Sequence, residues 1–103
     1  MPYQLVLQFR GDSLADLDAI VALEETLTEQ LGHGAEVDGH DVGSGEANLF
    51  VKTSDPVKTF ASIQPFLDRA NLLREVTVAY RPLDGGNYTV DWPRGSSRAF
   101  SVA

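Results

Sequence analysis

Residues 36–53 read EVDGHDVGSGEANLFVKT, and this stretch decides the fold. Two β-like runs, 36–42 and 46–53, flank the tripeptide Gly43-Ser44-Gly45. A short segment that contains Gly and joins two such runs is typical of a β-hairpin turn. The expected pairs, counted from the turn, are Val42–Glu46, Asp41–Ala47, His40–Asn48, Gly39–Leu49, Asp38–Phe50, Val37–Val51 and Glu36–Lys52.

A strand and a helix precede this hairpin. Residues 3–10, YQLVLQFR, alternate apolar and polar side chains, which predicts a strand with one buried face. Ser13 followed by Asp16 resembles a capping box at the start of a helix. Leucine and other apolar residues then recur at helical spacing as far as Leu31, and Gly32 supplies a C-terminal stop.

A second helix and two strands follow the hairpin. Ser54 or Asp55 is expected to cap the helix, whose apolar stripe is Phe60, Ile63, Leu67 and Ala70. Residues 75–81 alternate again and predict a strand. After the turn signal at 84–87, residues 88–92 predict a short fifth strand that ends at Pro93.

The element order βαββαβ predicts an α+β fold. Two strand–helix–strand units joined by a hairpin form a ferredoxin-like sandwich, with an antiparallel sheet of order 4-1-3-2 and both helices on one face. The short fifth strand is expected at the sheet edge. We expect a single domain over residues 1–93 and a flexible C-terminal tail over residues 94–103.

The composition excludes several classes of protein. The chain of 103 residues has a formal net charge of −7, which disfavours binding to a nucleic-acid backbone. It has no Cys, so disulfides and thiol chemistry are excluded. We expect no membrane partner and no signal peptide, because no apolar run has the length of a membrane span and the first residues lack a basic segment.

The negative charge belongs to the first half of the chain. Residues 1–54 hold two Lys or Arg against ten Asp or Glu, a net charge of −8, while residues 55–103 hold six against five, a net charge of +1. Such a field would steer a basic partner towards the first half. A solvated acidic helix face is the simpler alternative.

The sheet face without helices is the best candidate for a ligand site. The predicted topology gathers Arg10, His40, Asn48 and Glu75 at one edge of this face, near the N-terminus of the first helix, where amide groups favour anions. A polar solvent-facing surface is the alternative interpretation. Glu36, Asp38 and His40 alternate on one strand, but the spacing matches no known set of metal ligands. We therefore expect no metal and no cofactor.

Aromatic residues provide a candidate interface. Tyr88, Val90 and Trp92 alternate on the terminal strand, and Phe50 is expected on the helix-free face. Large aromatic side chains on an edge strand commonly anchor a second protomer or a partner. The alternative is that Trp92 folds back over the rim of its own core.

One part of the sequence resembles a known group of proteins. The match covers about residues 40–93 and rests on GSGEANLFVKT at 43–53, Asp55-Pro56, Ala79-Tyr80-Arg81 and Asp91-Trp92-Pro93. These segments are similar to those of small, uncharacterised bacterial proteins of ferredoxin-like fold. The resemblance implies that fold and draws attention to Asn48, Arg81 and Trp92; it implies no activity.

These observations predict a cytoplasmic, non-catalytic interaction domain. Its partner is expected to be a protein, either a basic protein that it binds or inhibits, or a second copy in a homodimer. The alternative is a regulatory domain or an enzyme that binds a small anion on the helix-free face.

Overall fold

The computed structural model describes residues 2–10, 17–31, 34–43, 45–93, 100 and 102, without the side chains of Arg10 and of residues 17–20. Within these residues, seven elements follow one another. They are β1 (Tyr3–Arg10), α1 (Leu17–Leu31), β2 (Ala35–Gly43), β3 (Glu46–Thr53), α2 (Pro56–Arg69), β4 (Val76–Pro82) and β5 (Thr89–Trp92). The predicted capping box at Ser13–Asp16 lies outside the described residues.

The strands form one antiparallel sheet of order β2-β3-β1-β4-β5. The prediction of an α+β protein with two helices, and with the short fifth strand at an edge, is confirmed. β1 lies at the centre and pairs along its length with both β3 and β4. β2 and β5 are the two edges.

A single hydrophobic core lies between the sheet and the two helices. Alternate residues of the three inner strands point into it, together with the apolar stripes of both helices. Burial of one large apolar side chain stabilises the fold by about 1.5–3 kcal/mol. Core side chains include Leu5, Leu7, Phe9, Leu49, Val51 and Val78 from the sheet, Leu23 and Leu27 from α1, and Phe60, Ile63 and Leu67 from α2.

α2 begins where the sequence predicts. Asp55 is the N-cap residue, and its carboxylate accepts a hydrogen bond from the backbone N–H of Lys58 at 3.1 Å. Pro56 is the first helical residue, where the missing N–H costs nothing. Ala70, expected in the buried stripe, is instead the exposed C-cap residue.

A β-bulge in β2 changes the register of the hairpin. The predicted pairs Glu36–Lys52 and Val37–Val51 are confirmed. The register shifts after Val37, so that Gly39 pairs with Phe50. The five pairs predicted from Asp38–Phe50 to Val42–Glu46 are therefore wrong by one residue. Gly39 has φ +112°, a conformation that side-chain-bearing residues rarely adopt, so the glycine permits the bulge.

A second irregularity lies between β4 and β5. Val78 pairs with Trp92, while its neighbour Ala79 pairs with Val90. Asp91 is therefore an extra residue on β5, and Trp92 and Val90 point to opposite faces of the sheet.

The bulge at Gly39 can be tested by two substitutions in the same strand. We expect Gly39→Ala to lower the free energy of unfolding by about 1–3 kcal/mol, because a Cβ strains a backbone at positive φ. Gly43→Ala is the matched control, since Gly43 is also in β2, lacks a positive φ and has open space around it. Chemical denaturation measures both variants, and equal losses would contradict the assigned bulge.

Candidate functional site

The helix-free face of the sheet is buried at its centre. The three inner strands contribute the described side chains of Gln4, Val6, Gln8, Asn48, Phe50, Lys52, Thr77, Ala79 and Arg81. Glu36 and Asp41 of β2 and Val90 of β5 lie on the same face, opposite Lys52, Asn48 and Ala79. Val6 and Ala79 are 0% exposed, and Gln8 and Asn48 are 1% exposed. This face is therefore not the uncovered surface that the alternation of the strands predicts.

Two amides form a polar contact at the centre of this face. Gln8 and Asn48 are directly opposite in the β1–β3 ladder, and Gln8 Nε2 donates to Asn48 Oδ1 at 3.0 Å. Asn48 Nδ2 in turn donates to Glu46 Oε1 at 3.4 Å. A buried amide is costly unless it is hydrogen-bonded, so these contacts fix the two side chains in place.

The structure brings three of the four predicted ligand-site residues to one end of the sheet. The backbone of Arg10 pairs with Glu46, and Glu75 comes directly before Val76, which pairs with Phe9. Asn48 is two residues further along β3 than Glu46. These positions agree with the predicted cluster, and binding of an anion by Arg10, Asn48 and Glu75 stays a prediction.

His40 is the fourth residue, and its predicted place on the helix-free face is wrong. Because of the bulge, His40 pairs with Leu49, whose side chain lies in the core between sheet and helices. Its Nδ1 lies 2.6 Å from Glu24 Oε1 of α1. His40 therefore connects an edge strand to a helix, and Asp41 takes the position opposite Asn48.

Trp92 packs on its own domain. Its ring centroid lies 5.9 Å from that of Phe60, and its Nε1 donates to the carbonyl oxygen of Leu73 at 3.0 Å. The prediction that Tyr88, Val90 and Trp92 share one face is wrong, because the extra residue Asp91 reverses the direction of Trp92. Trp92 therefore agrees with the alternative interpretation, in which its side chain folds back over the rim of its own core.

Tyr88 and Phe50 lie together on the other face. Both line a cavity of about 550 Å³ that also contacts Gln4, Arg81 and Phe100. Gln4 is not among the site residues predicted from the sequence. A signal was present, since Gln4 and Arg81 occupy polar positions of two alternating strands that pair directly.

α1 and β2 form an acidic surface, which we define by the exposed residues Glu25, Glu29, Glu36, Asp38 and Asp41. α1 packs against β2, so both groups of carboxylates lie near the β2 edge of the sheet, Glu25 and Glu29 on the helix and Glu36 and Asp41 on the helix-free face. Residues 17–43 contain seven Asp or Glu and no Lys or Arg. Lys52 of β3 contributes a cation to this surface: its Nζ lies 3.5 Å from Asp38 Oδ1, and both side chains are 39% exposed.

Within the part of the chain that the structure describes, no group of three or more His, Cys, Asp or Glu residues is arranged to hold a metal ion. Glu36, Asp38 and His40 do not form one, because the bulge separates them. Over the same residues, neither helix is long and apolar enough to cross a membrane.

Comparison of the chain with protein-family models, with curated protein sequences and with solved structures finds no match.

The placement of Trp92 can be tested with a conservative variant. We expect Trp92→Phe to lower the free energy of unfolding by about 1 kcal/mol. Phenylalanine keeps the contact with Phe60 but lacks the N–H that donates a hydrogen bond to the carbonyl oxygen of Leu73. Since both partners are in the same chain, the loss should be independent of protein concentration. Chemical denaturation over a wide concentration range measures it, and a loss that grows with concentration would indicate an interface instead.

Proposed function

We propose that the chain is a ferredoxin-like domain related to small, uncharacterised bacterial proteins of that fold. The order β2-β3-β1-β4, with α1 following β1 and α2 following β3, supports this assignment, and β5 is an addition at the β4 edge. The absence of Cys from the sequence supports a cytoplasmic location.

We propose that this domain is a non-catalytic interaction module that binds a basic protein, as a partner or an inhibitor, through the acidic surface. The observation that carries the proposal is the distribution of charge: residues 17–43 contain Asp and Glu but no Lys or Arg, and the exposed carboxylates of α1 and β2 lie near the β2 edge of the sheet. A field of one sign attracts a partner of the opposite sign and orients it during encounter.

The position of β2 adds a backbone component to this surface. β2 is an edge of the sheet, and no described strand pairs with its outer side. An edge strand offers backbone N–H and C=O groups that an extended segment of a partner can pair with. An extended basic segment therefore fits this surface best, through backbone pairing with β2 and contacts with Glu36 and Asp41.

Self-association through the same edge is less favourable. Two copies of β2 paired in antiparallel orientation would bring their acidic residues close together, and like charges across a strand pair are destabilising. A homodimer through β2 would therefore need to overcome this repulsion. A complex with a basic partner is instead stabilised by attraction to the same carboxylates.

The test uses a nonapeptide of alternating Lys and Val as a probe. Titrated into isotopically labelled protein, it should shift the amide NMR signals of β2 and α1. Binding should weaken strongly between about 0.01 M and about 0.15 M ionic strength, because the Debye length falls from about 30 Å to about 8 Å. A peptide of alternating Glu and Val should not bind.

A pair of double variants with equal net charge provides the control. Glu36→Gln with Asp41→Asn should weaken the Lys-Val peptide about tenfold, at about 0.7 kcal/mol for each exposed charge. Asp68→Asn with Asp84→Asn, at exposed positions away from the acidic surface, should change the affinity less than about twofold. Equal effects of the two pairs would show that net charge alone matters and would overturn the proposed surface.

Size-exclusion chromatography with light scattering should show a monomer at the protein concentrations of the titration. A dimer formed through β2 would count against the proposed surface.

A small-ligand domain is the second candidate function. The cavity on the helix-free face favours it, and this cavity lies at the opposite end of β1 from Arg10.

A further inference from the structure

A second surface, independent of the acidic one, has the properties of a ligand site. The cavity of about 550 Å³ lies on the helix-free face, between the start of β1, the end of β4 and the segment before β5. Its volume falls within the range of about 300–1,000 Å³ that is usual for small-molecule sites. The lining combines three aromatic side chains with the polar groups of Gln4, Arg81 and Asn87.

Arg81 is the cation of this cavity, and its orientation is fixed by Gln4. Arg81 Nε donates to Gln4 Oε1 at 3.3 Å, and the hydroxyl of Tyr88 donates to the same oxygen at 3.0 Å. The guanidinium carbon lies 4.8 Å from the centre of the Tyr88 ring. Gln4 and the Tyr88 ring therefore hold the guanidinium in one place before any ligand binds.

The terminal nitrogens of Arg81 are available for an anion. Among the described residues, Arg81 forms no ion pair, and Nη1 and Nη2 donate no hydrogen bond. This half-buried cation is therefore not neutralised by a carboxylate of the described chain. A planar guanidinium with both terminal nitrogens free matches the two oxygens of a carboxylate in a bidentate contact.

The walls of the cavity favour a flat aromatic body. Phe50, Tyr88 and Phe100 all line it, and the rings of Tyr88 and Phe100 are in edge contact with centroids 4.9 Å apart. Aromatic rings of a ligand pack well against such edges and faces. Asn87 adds an amide that can donate or accept a hydrogen bond.

We infer that this cavity binds a small aromatic carboxylate, with the carboxylate on Arg81 and the ring among Phe50, Tyr88 and Phe100. Gln4 is a positioning residue that orients the guanidinium. This site is distinct from the cluster of Arg10, Asn48 and Glu75 at the other end of the sheet, and it does not depend on the basic partner proposed above.

The test compares two probes of the same shape, naphthoate and the neutral naphthamide. Isothermal titration calorimetry with the full chain should give a dissociation constant for naphthoate of about 1 mM or lower, the value expected for a ligand of this size. Naphthamide should bind at least about tenfold more weakly, because it lacks the charge that Arg81 binds. Equal binding of the two probes, or no binding of naphthoate up to its solubility, would overturn the inference.

Variants locate the binding to Arg81. Arg81→Gln should weaken the binding of naphthoate at least about tenfold and leave the binding of naphthamide unchanged. Arg81→Lys should have an intermediate effect on naphthoate, because an ammonium group cannot form the bidentate contact. Arg74→Gln, at an exposed position outside the cavity, is the control and should bind naphthoate as the unaltered protein does. Amide NMR spectra report whether each variant is folded. If Arg81→Gln fails to fold, Arg81→Lys decides, and unaltered naphthoate affinity in either folded variant would contradict the proposed site.

Discussion

Two extra residues in the edge strands decide which side chains of β2 and β5 face the helices. Side chains of a β-strand alternate with a period of two, so one inserted residue moves everything beyond it to the other face. In β2 the shift occurs between Val37 and Gly39, and in β5 it occurs at Asp91. His40 and Trp92 consequently face the helices, and Asp41 lies opposite Asn48.

Both shifts attach an edge strand to the layer of helices. His40 contacts Glu24 of α1, while Trp92 contacts Phe60 of α2 and the carbonyl oxygen of Leu73. The two proposed surfaces lie towards opposite edges of the sheet. The acidic surface lies on α1 and the edge strand β2, whereas Arg81 lies on β4, next to the other edge strand, β5. The proposed basic segment and the proposed aromatic carboxylate would therefore not compete for one site.

The elements and the core were predictable from the sequence because they depend on local periodicity. β1 and β3 have the predicted ends, and Leu49, Val51 and Val78 are buried as their alternation indicates. The site was less predictable, because alternation alone does not reveal an inserted residue. Gly39 inside a strand-like run was the available signal for a bulge. No comparable signal marks Asp91.

The burial of the helix-free face also exceeded what the sequence indicates. Gln8 and Asn48 are polar and were expected to face solvent, but their pairing lets both be buried with hydrogen bonds. Such a pair forms only when the register places the two amides opposite each other. The cavity depends on the same kind of long-range placement, because Gln4, Arg81 and Tyr88 are far apart in sequence.

Nuclear Overhauser spectroscopy of the isotopically labelled protein tests the two register shifts most directly. We expect cross-peaks between the His40 ring and the side chain of Glu24, and between the Trp92 indole N–H and the ring of Phe60, since both pairs are in contact across the helix-covered face. Cross-peaks from the His40 ring to Asn48, and from the Trp92 ring to Tyr88, would place both residues on the other face and contradict the account.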